Sequence, residues 1–185
     1  MKISDGEKII LLMLSEIYKK IGIKDGEIDP EFIKSVIFND QIWGLSWKYT
    51  GIPFEDTKTP EIVNEVVNIL DMWSFIEDSY EELSAKDKNK LSKDVEPFGN
   101  NPKFHGFDGN HETEYLSVAR FIVKDLDRYE RFEGRDLNSH FPSIYPYRRM
   151  LSVFEPIRKN LELRSLSLNE LTLILKEMIH PINRK

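Results

Sequence analysis

PEIVNEVVNILDMWSFIEDSYEEL, residues 60–83, is the stretch that decides the fold. Ile62, Val66, Ile69, Trp73, Ile76 and Tyr80 recur at steps of three and four residues, the repeat of one helix face. Val63, Val67, Leu70 and Leu83 widen the stripe. The β-branched side chains lower helix propensity, but the spacing is not the two-residue alternation of a strand. Thr59-Pro60 in front reads as a cap with proline at the first helical position. The spacing predicts a helix that runs past Glu82, roughly six turns at 3.6 residues per turn.

Outward from this helix, the same signals repeat. Ser4-Asp5-Gly6-Glu7 is a capping box, and Gly22 is placed to end the helix it opens. Residues 9–21 between them are apolar nearly all round, which predicts a buried helix. Asp29-Pro30 starts another, with Phe32, Ile33, Val36 and Ile37 on one face. A short helical turn over residues 43–49 precedes a loop broken by Gly51 and Pro53. Ser84 caps a short, charged helix whose Lys86, Lys88, Lys90 and Lys93 alternate with acids, the pattern of a solvated face.

Helical spacing returns over residues 111–132, with Tyr115, Ala119, Ile122 and Leu126 inward, and again over residues 147–154, which Pro156 should kink or end. Ser167-Leu168-Asn169-Glu170 is a second capping box and opens a final helix that His180-Pro181 stops. Nowhere do alternating residues and hairpin turns suggest strands, and no repeat or linker divides the chain. The expectation is one all-α domain over residues 1–185, compact, with a long central helix.

Composition narrows function. The 185 residues are 40% hydrophobic and 31% charged, enough for one core of ordinary size. A net charge of -6 disfavours general nucleic-acid binding. With no cysteine there is no disulfide, cysteine nucleophile or cysteine-rich zinc site. The longest apolar run, residues 9–14, is far short of a membrane span, and no signal-peptide pattern opens the chain. A cytoplasmic protein without a membrane association and without a cofactor is expected. Phosphate-loop, nucleophile-elbow and dinucleotide motifs are all missing.

FHGFDGNHE, residues 104–112, is the densest cluster of chemistry-bearing side chains. His105 and His111 could join Asp108 and Glu112 around a metal, although the spacing is not that of two histidines on one helix face. The plainer reading has Asp108 or Asn110 capping the next helix, Glu112 in its first turn, Phe104 and Phe107 anchored in the core, and Gly106 and Gly109 supplying unusual backbone angles. A second cluster interleaves Arg128, Arg131, Arg135, Arg148 and Arg149 with Tyr129, Phe132, His140, Phe141, Tyr145 and Tyr147. Such mixtures form salt-bridged surface, protein interfaces or phosphate grips. Glu112 and Tyr115 share a helix face while Arg120 points elsewhere, a set that more often fixes packing than performs catalysis.

Phe104-His105-Gly106-Phe107-Asp108, with Glu112, Tyr115-Leu116 and Arg120-Phe121, resembles the signature segment of the YfbU family of small bacterial proteins. Residues 147–153, Leu166-Ser167 with Asn169-Glu170, and residues 69–72 are similar to that family's later, final and central helices. The resemblance is clearest over residues 104–175 and implies a compact all-helical protein. It brings no assigned activity or catalytic residues. Asp108 and Glu112 match its pattern while His105 and His111 do not, which speaks against a family-wide metal site there. The chain is longer than the family pattern around residues 125–145 and between the central helix and Glu96.

Two functional expectations follow. The first is a non-enzymatic interaction or regulatory module that self-associates or binds another protein, using Trp43, Trp47, Tyr145, Tyr147, Arg148 and Arg149. Its mark would be exposed aromatic side chains. The second is a phosphate- or nucleotide-directed enzyme in which Asp108 and Glu112 act with arginines near Arg149; carboxylates and arginines would then line one pocket. A DNA-binding regulator is weaker, because residues 168–179 carry few basic side chains.

Overall fold

A computed structural model describes residues 2–55, 58–162 and 164–183. The apolar stripe of residues 60–83 forms α4 (Glu61–Glu82), which lies at the centre of an all-α, multi-helix domain. Val63, Val66, Ile69, Leu70, Met72, Trp73 and Ile76 on it are all buried. Pro60 rather than Thr59 occupies the N-cap, and no side chain caps this helix. The Thr59 hydroxyl instead accepts from the Trp47 indole at 3.4 Å.

Three later helices cover α4: α6 (Thr113–Arg120), α7 (Ile144–Arg158) and α8 (Leu168–Lys176). The charged α5 (Ala85–Asp94) packs on α8 and buries only Leu91. Aromatic rings fill the centre. Phe104 lies 5.1 Å from Phe132 and 5.8 Å from Tyr147, and Trp73 meets Tyr147 edge-on at 5.6 Å. Pro156 sits inside α7, close enough to its C-terminal end that the helix continues past it to Arg158. The capping box at Ser167 and Glu170 starts α8 as its spacing predicts.

The helix expected over residues 111–132 is shorter and changes form. After α6 the chain widens into a π-helical turn, Phe121–Asp125. The run ends at Leu126; Asp127 and Tyr129, with φ of 51° and 59°, then lead into a 3-10 turn, Glu130–Phe132. The wide turn directs Phe121 away from the main core toward Phe32 (5.7 Å) and Trp43 (5.4 Å). There it closes a second cluster with Val36 and Leu45.

That second cluster seats α2 (Pro30–Phe38) and α3 (Gly44–Lys48). Asp29 caps α2, accepting from the N–H groups of Glu31 and Phe32. The remaining helix, α1 (Asp5–Ile21), packs on α2. Ser4 and Glu7 cap it reciprocally, and Gly22 ends it with φ of 73°. The expectation of a buried helix fails here: Ser15 is the one buried residue of its 17. Lys8, Leu11, Leu12, Ser15 and Tyr18 turn toward the protein, while the other apolar residues face outward.

Candidate functional site

The FHGFDGNHE loop is built around Gly106. Its φ is 90°, and a Cβ there would lie 1.7 Å from the Leu137 carbonyl oxygen. The close approach lets the Phe107 N–H donate to that oxygen at 2.9 Å and the Phe107 carbonyl accept from Ser139 N–H at 3.1 Å. A short parallel bridge thereby ties the loop to Asn138. Gly109 does not have the unusual backbone angle expected of it; it is close to Asn138, whose side-chain oxygen accepts its N–H at 2.9 Å.

Glu112 occupies the N-cap of α6, yet its side chain does not cap that helix. It turns inward and is only 5% exposed. Oε1 accepts from the N–H groups of Ser143 and Ile144, both at 2.8 Å, at the start of α7. Oε2 accepts from the Asp108 N–H at 2.9 Å and the Ser143 hydroxyl at 2.8 Å. One carboxylate therefore satisfies donors of the α7 N-terminus and of the loop before α6.

Asp108 does not cap α6 with its side chain either. It accepts from the Asn110 N–H at 3.0 Å and bonds the His111 Nδ1 at 2.6 Å. The Asn110 N–H, and after it the His111 ring, hold the Asp108 carboxyl below its usual range. The Asp108 side chain is 3% exposed and that of His111 is 75% exposed, so a buried carboxylate orients an imidazole toward solvent. His105 lies elsewhere, its ring 6.2 Å from Phe141. Among the described residues, no group of three or more histidine and acidic side chains could hold a metal ion.

The arginines of the second cluster are engaged with other partners. Arg148 donates to Glu65 at 2.6 Å and to the Tyr115 hydroxyl at 2.9 Å. Arg148 in turn lowers the Glu65 carboxyl below its usual range. Arg149 donates twice to the Glu177 carbonyl, at 3.1 and 2.8 Å, at the C-terminal end of α8. Arg135 forks onto Glu77 with two 2.8 Å bonds, while Arg131 bridges Glu77, Asp78 and Glu81. Neither Arg148 nor Arg149 reaches Asp108 or Glu112. Arg120 binds Asp136 at 3.2 Å and, with Lys124 and Gly109, lines a polar recess of about 440 Å³.

The aromatic candidates divide. Trp43 and Trp47 are half-buried and stack edge-on at 4.9 Å, with the Arg128 guanidinium 4.6 Å above Trp47. Tyr147 is fully buried, and Tyr145 is 67% exposed with Arg148 beside its ring.

The largest apolar surface lies on a helix that sequence reasoning assigned to the interior. On α1, Ile9 is 59% exposed, Ile10 56%, Met13 58%, Leu14 54%, Ile17 49% and Ile21 68%. Beside it runs an apolar recess of about 590 Å³ between α1 and the α2–α3 region, with Ile33, Tyr49, Ile52 and Phe54 in its lining. The signal was present in the all-round apolar character of residues 9–21. The helix is apolar as that pattern predicts, but most of its apolar side chains face outward.

Compared with known proteins, the chain is 28% identical over 160 residues to the UPF0304 protein MJECS11 of Methanocaldococcus jannaschii, covering 80% of this chain and 86% of that one. No solved structure matches the chain significantly. The YfbU domain model matches residues 1–176, through the loop, the central helix and the exposed α1 alike, and the chain belongs to the YfbU family.

Proposed function

We propose that this protein is an interaction module that acts as a homo-oligomer through the outer face of α1. The observation that carries this reading is the exposed row of Ile9, Ile10, Met13, Leu14, Ile17 and Ile21. Together these residues offer on the order of 600 Å² of mainly apolar surface, the top of the range for the largest patch on a monomer. With the adjoining recess, the face approaches the roughly 800 Å² that each partner contributes to a standard interface. A helix capped at both ends keeps its shape without help from a partner, so the face is preformed.

The test compares wild type with the Ile10→Glu/Ile17→Glu variant by sedimentation velocity at micromolar concentration. The expected result is a dimer or larger assembly for wild type and a folded monomer for the variant, since neither side chain is buried. A wild-type chain that sediments as a monomer at tens of micromolar would refute the reading.

A second reading, a phosphate- or nucleotide-directed enzyme, is favoured by one arrangement. Asp108 holds His111 by Nδ1 in the manner of a carboxylate that orients a general base, in the loop whose Gly109 lines the recess with Arg120 and Lys124. Glu112 has no part in it, because its oxygens are occupied by α7 and the loop. This reading expects nucleotides or phosphate monoesters to raise the melting temperature of wild type but not of His111→Ala or Arg120→Ala. No shift with any of them in wild type would end it.

A further inference from the structure

We propose that the partner seated on α1 is α1 of a second copy, antiparallel about a twofold axis, with Asp5 of each chain opposite Lys20 of the other. This rests on the reading of the α1 face as the working surface. It adds the occupant and its direction.

The argument starts from helical geometry. At 100° per residue, Ile10, Met13 and Ile17 form the midline of the exposed face. Asp5, Ile9, Glu16 and Lys20 fall along one flank, and Glu7, Leu14 and Ile21 along the other. When two copies of one helix pair antiparallel, each flank meets the same flank of its partner. When they pair parallel, each flank meets the opposite one.

Charge separates these cases. In the antiparallel pair, centred between Leu12 and Met13, Asp5 meets Lys20, and the twofold axis repeats the contact at the other end. Glu16 then lies across from the uncharged Ile9 rather than from another acid. In the parallel pair, Asp5 runs beside Glu7, and the two acidic N-termini and the two basic C-termini crowd together. The helix dipoles also oppose favourably only in the antiparallel arrangement. Within one chain Asp5 is 3.7 Å from Lys8 yet its side chain remains 98% exposed, so a partner's lysine can reach it.

The apolar surface agrees. The recess lies on the Leu14 and Ile21 side of α1 and is walled by Ile33, Tyr49 and Phe54. A second α1 seated on the Ile10, Met13 and Ile17 midline brings its own Leu14 and Ile21 flank to the rim of this recess, and the twofold axis repeats the contact.

The experiment uses the full chain carrying Asp5→Lys or Lys20→Glu. Each alone places like charges at both symmetric contacts and should weaken the homodimer roughly tenfold. An equimolar mixture of the two re-creates opposite charges at both contacts, and heterodimer affinity should return to the wild-type level. Both changes oppose the helix dipole, so helix content is followed by circular dichroism; a loss of helix would weaken the mixture as much as the single variants. Unchanged single variants, or a mixture that is not rescued, would overturn the antiparallel pairing. If Ile10→Glu/Ile17→Glu still yields monomers, the α1 face stands and only this pairing falls. If that variant also remains assembled, the proposed working surface itself falls.

Discussion

Glu112→Ala offers the sharpest test of how the candidate loop works. The change removes the acceptor for three buried backbone donors, the N–H groups of Asp108, Ser143 and Ile144. The Ser143 hydroxyl loses less, because the Gly106 carbonyl at 3.0 Å can still accept from it. Each buried donor left without a partner costs roughly 1 to 3 kcal/mol; taken at the lower part of that range, three of them cost about 3 to 5 kcal/mol. For a domain of this size that is a fall of about 8 to 15 °C in melting temperature. Glu112→Gln should lie between the two. Its oxygen can keep the bonds to Ser143 and Ile144, and its amide opposes only the Asp108 N–H among the backbone donors. Asp108→Ala should cost less than Glu112→Ala, since the Asp108 side chain accepts from one backbone N–H and one imidazole. Urea unfolding of the three variants, with slopes compared, gives these differences directly. A loss below about 1 kcal/mol for Glu112→Ala would refute the claim that this carboxylate organises the loop and the start of α7.

Gly106→Ala should destabilise by more than about 3 kcal/mol or yield insoluble chain, because positive φ and a backbone clash act together; a soluble variant with an unchanged urea midpoint would contradict the loop geometry. Stability should also fall with acid in a defined direction. Burial disfavours the charged form of Glu77, but the Arg135 guanidinium and the Phe104 N–H outweigh it and keep the carboxyl below its ordinary range. A carboxylate whose folded value is depressed contributes fully above the unfolded value, near 4.3 for glutamate, and that contribution disappears as pH falls through the folded value. Glu65 and Asp108 have the same sign. Melting temperature should therefore drop from about pH 5 downward, and less steeply in Glu77→Gln than in wild type; equal slopes would show that Glu77 is not a source of the acid sensitivity.

Much of the architecture was legible because its causes are local. The spacing from Ile62 to Tyr80 specifies a helix without reference to the rest of the chain, and α4 spans Glu61–Glu82. The boxes at Ser4–Glu7 and Ser167–Glu170 and the Asp29-Pro30 start close hydrogen bonds within three residues, and all three form. The candidate loop was legible in composition but not in role. Asp108 and Glu112 were visible as a pair, yet the partners that use up Glu112 are 31 and 32 residues away. The same limit hid the pairing of Arg148 with Glu65 across 83 residues.

Other features belong to the tertiary structure alone. Phe121, the first residue of the π-helical turn Phe121–Asp125, packs between Phe32 and Trp43, partners that lie about 80 to 90 residues earlier in the chain and that its sequence neighbours do not announce. Gly106 is required by the Leu137 carbonyl packed against it. The sequence by itself determined that α1 is helical and that its apolar residues need burial. Which of those residues the protein buries depended on how much of the helix α2 can cover. A helix of that radius meets one neighbour along a single stripe, so Lys8, Leu11, Ser15 and Tyr18 turn inward and Ile10, Met13 and Ile17 face outward.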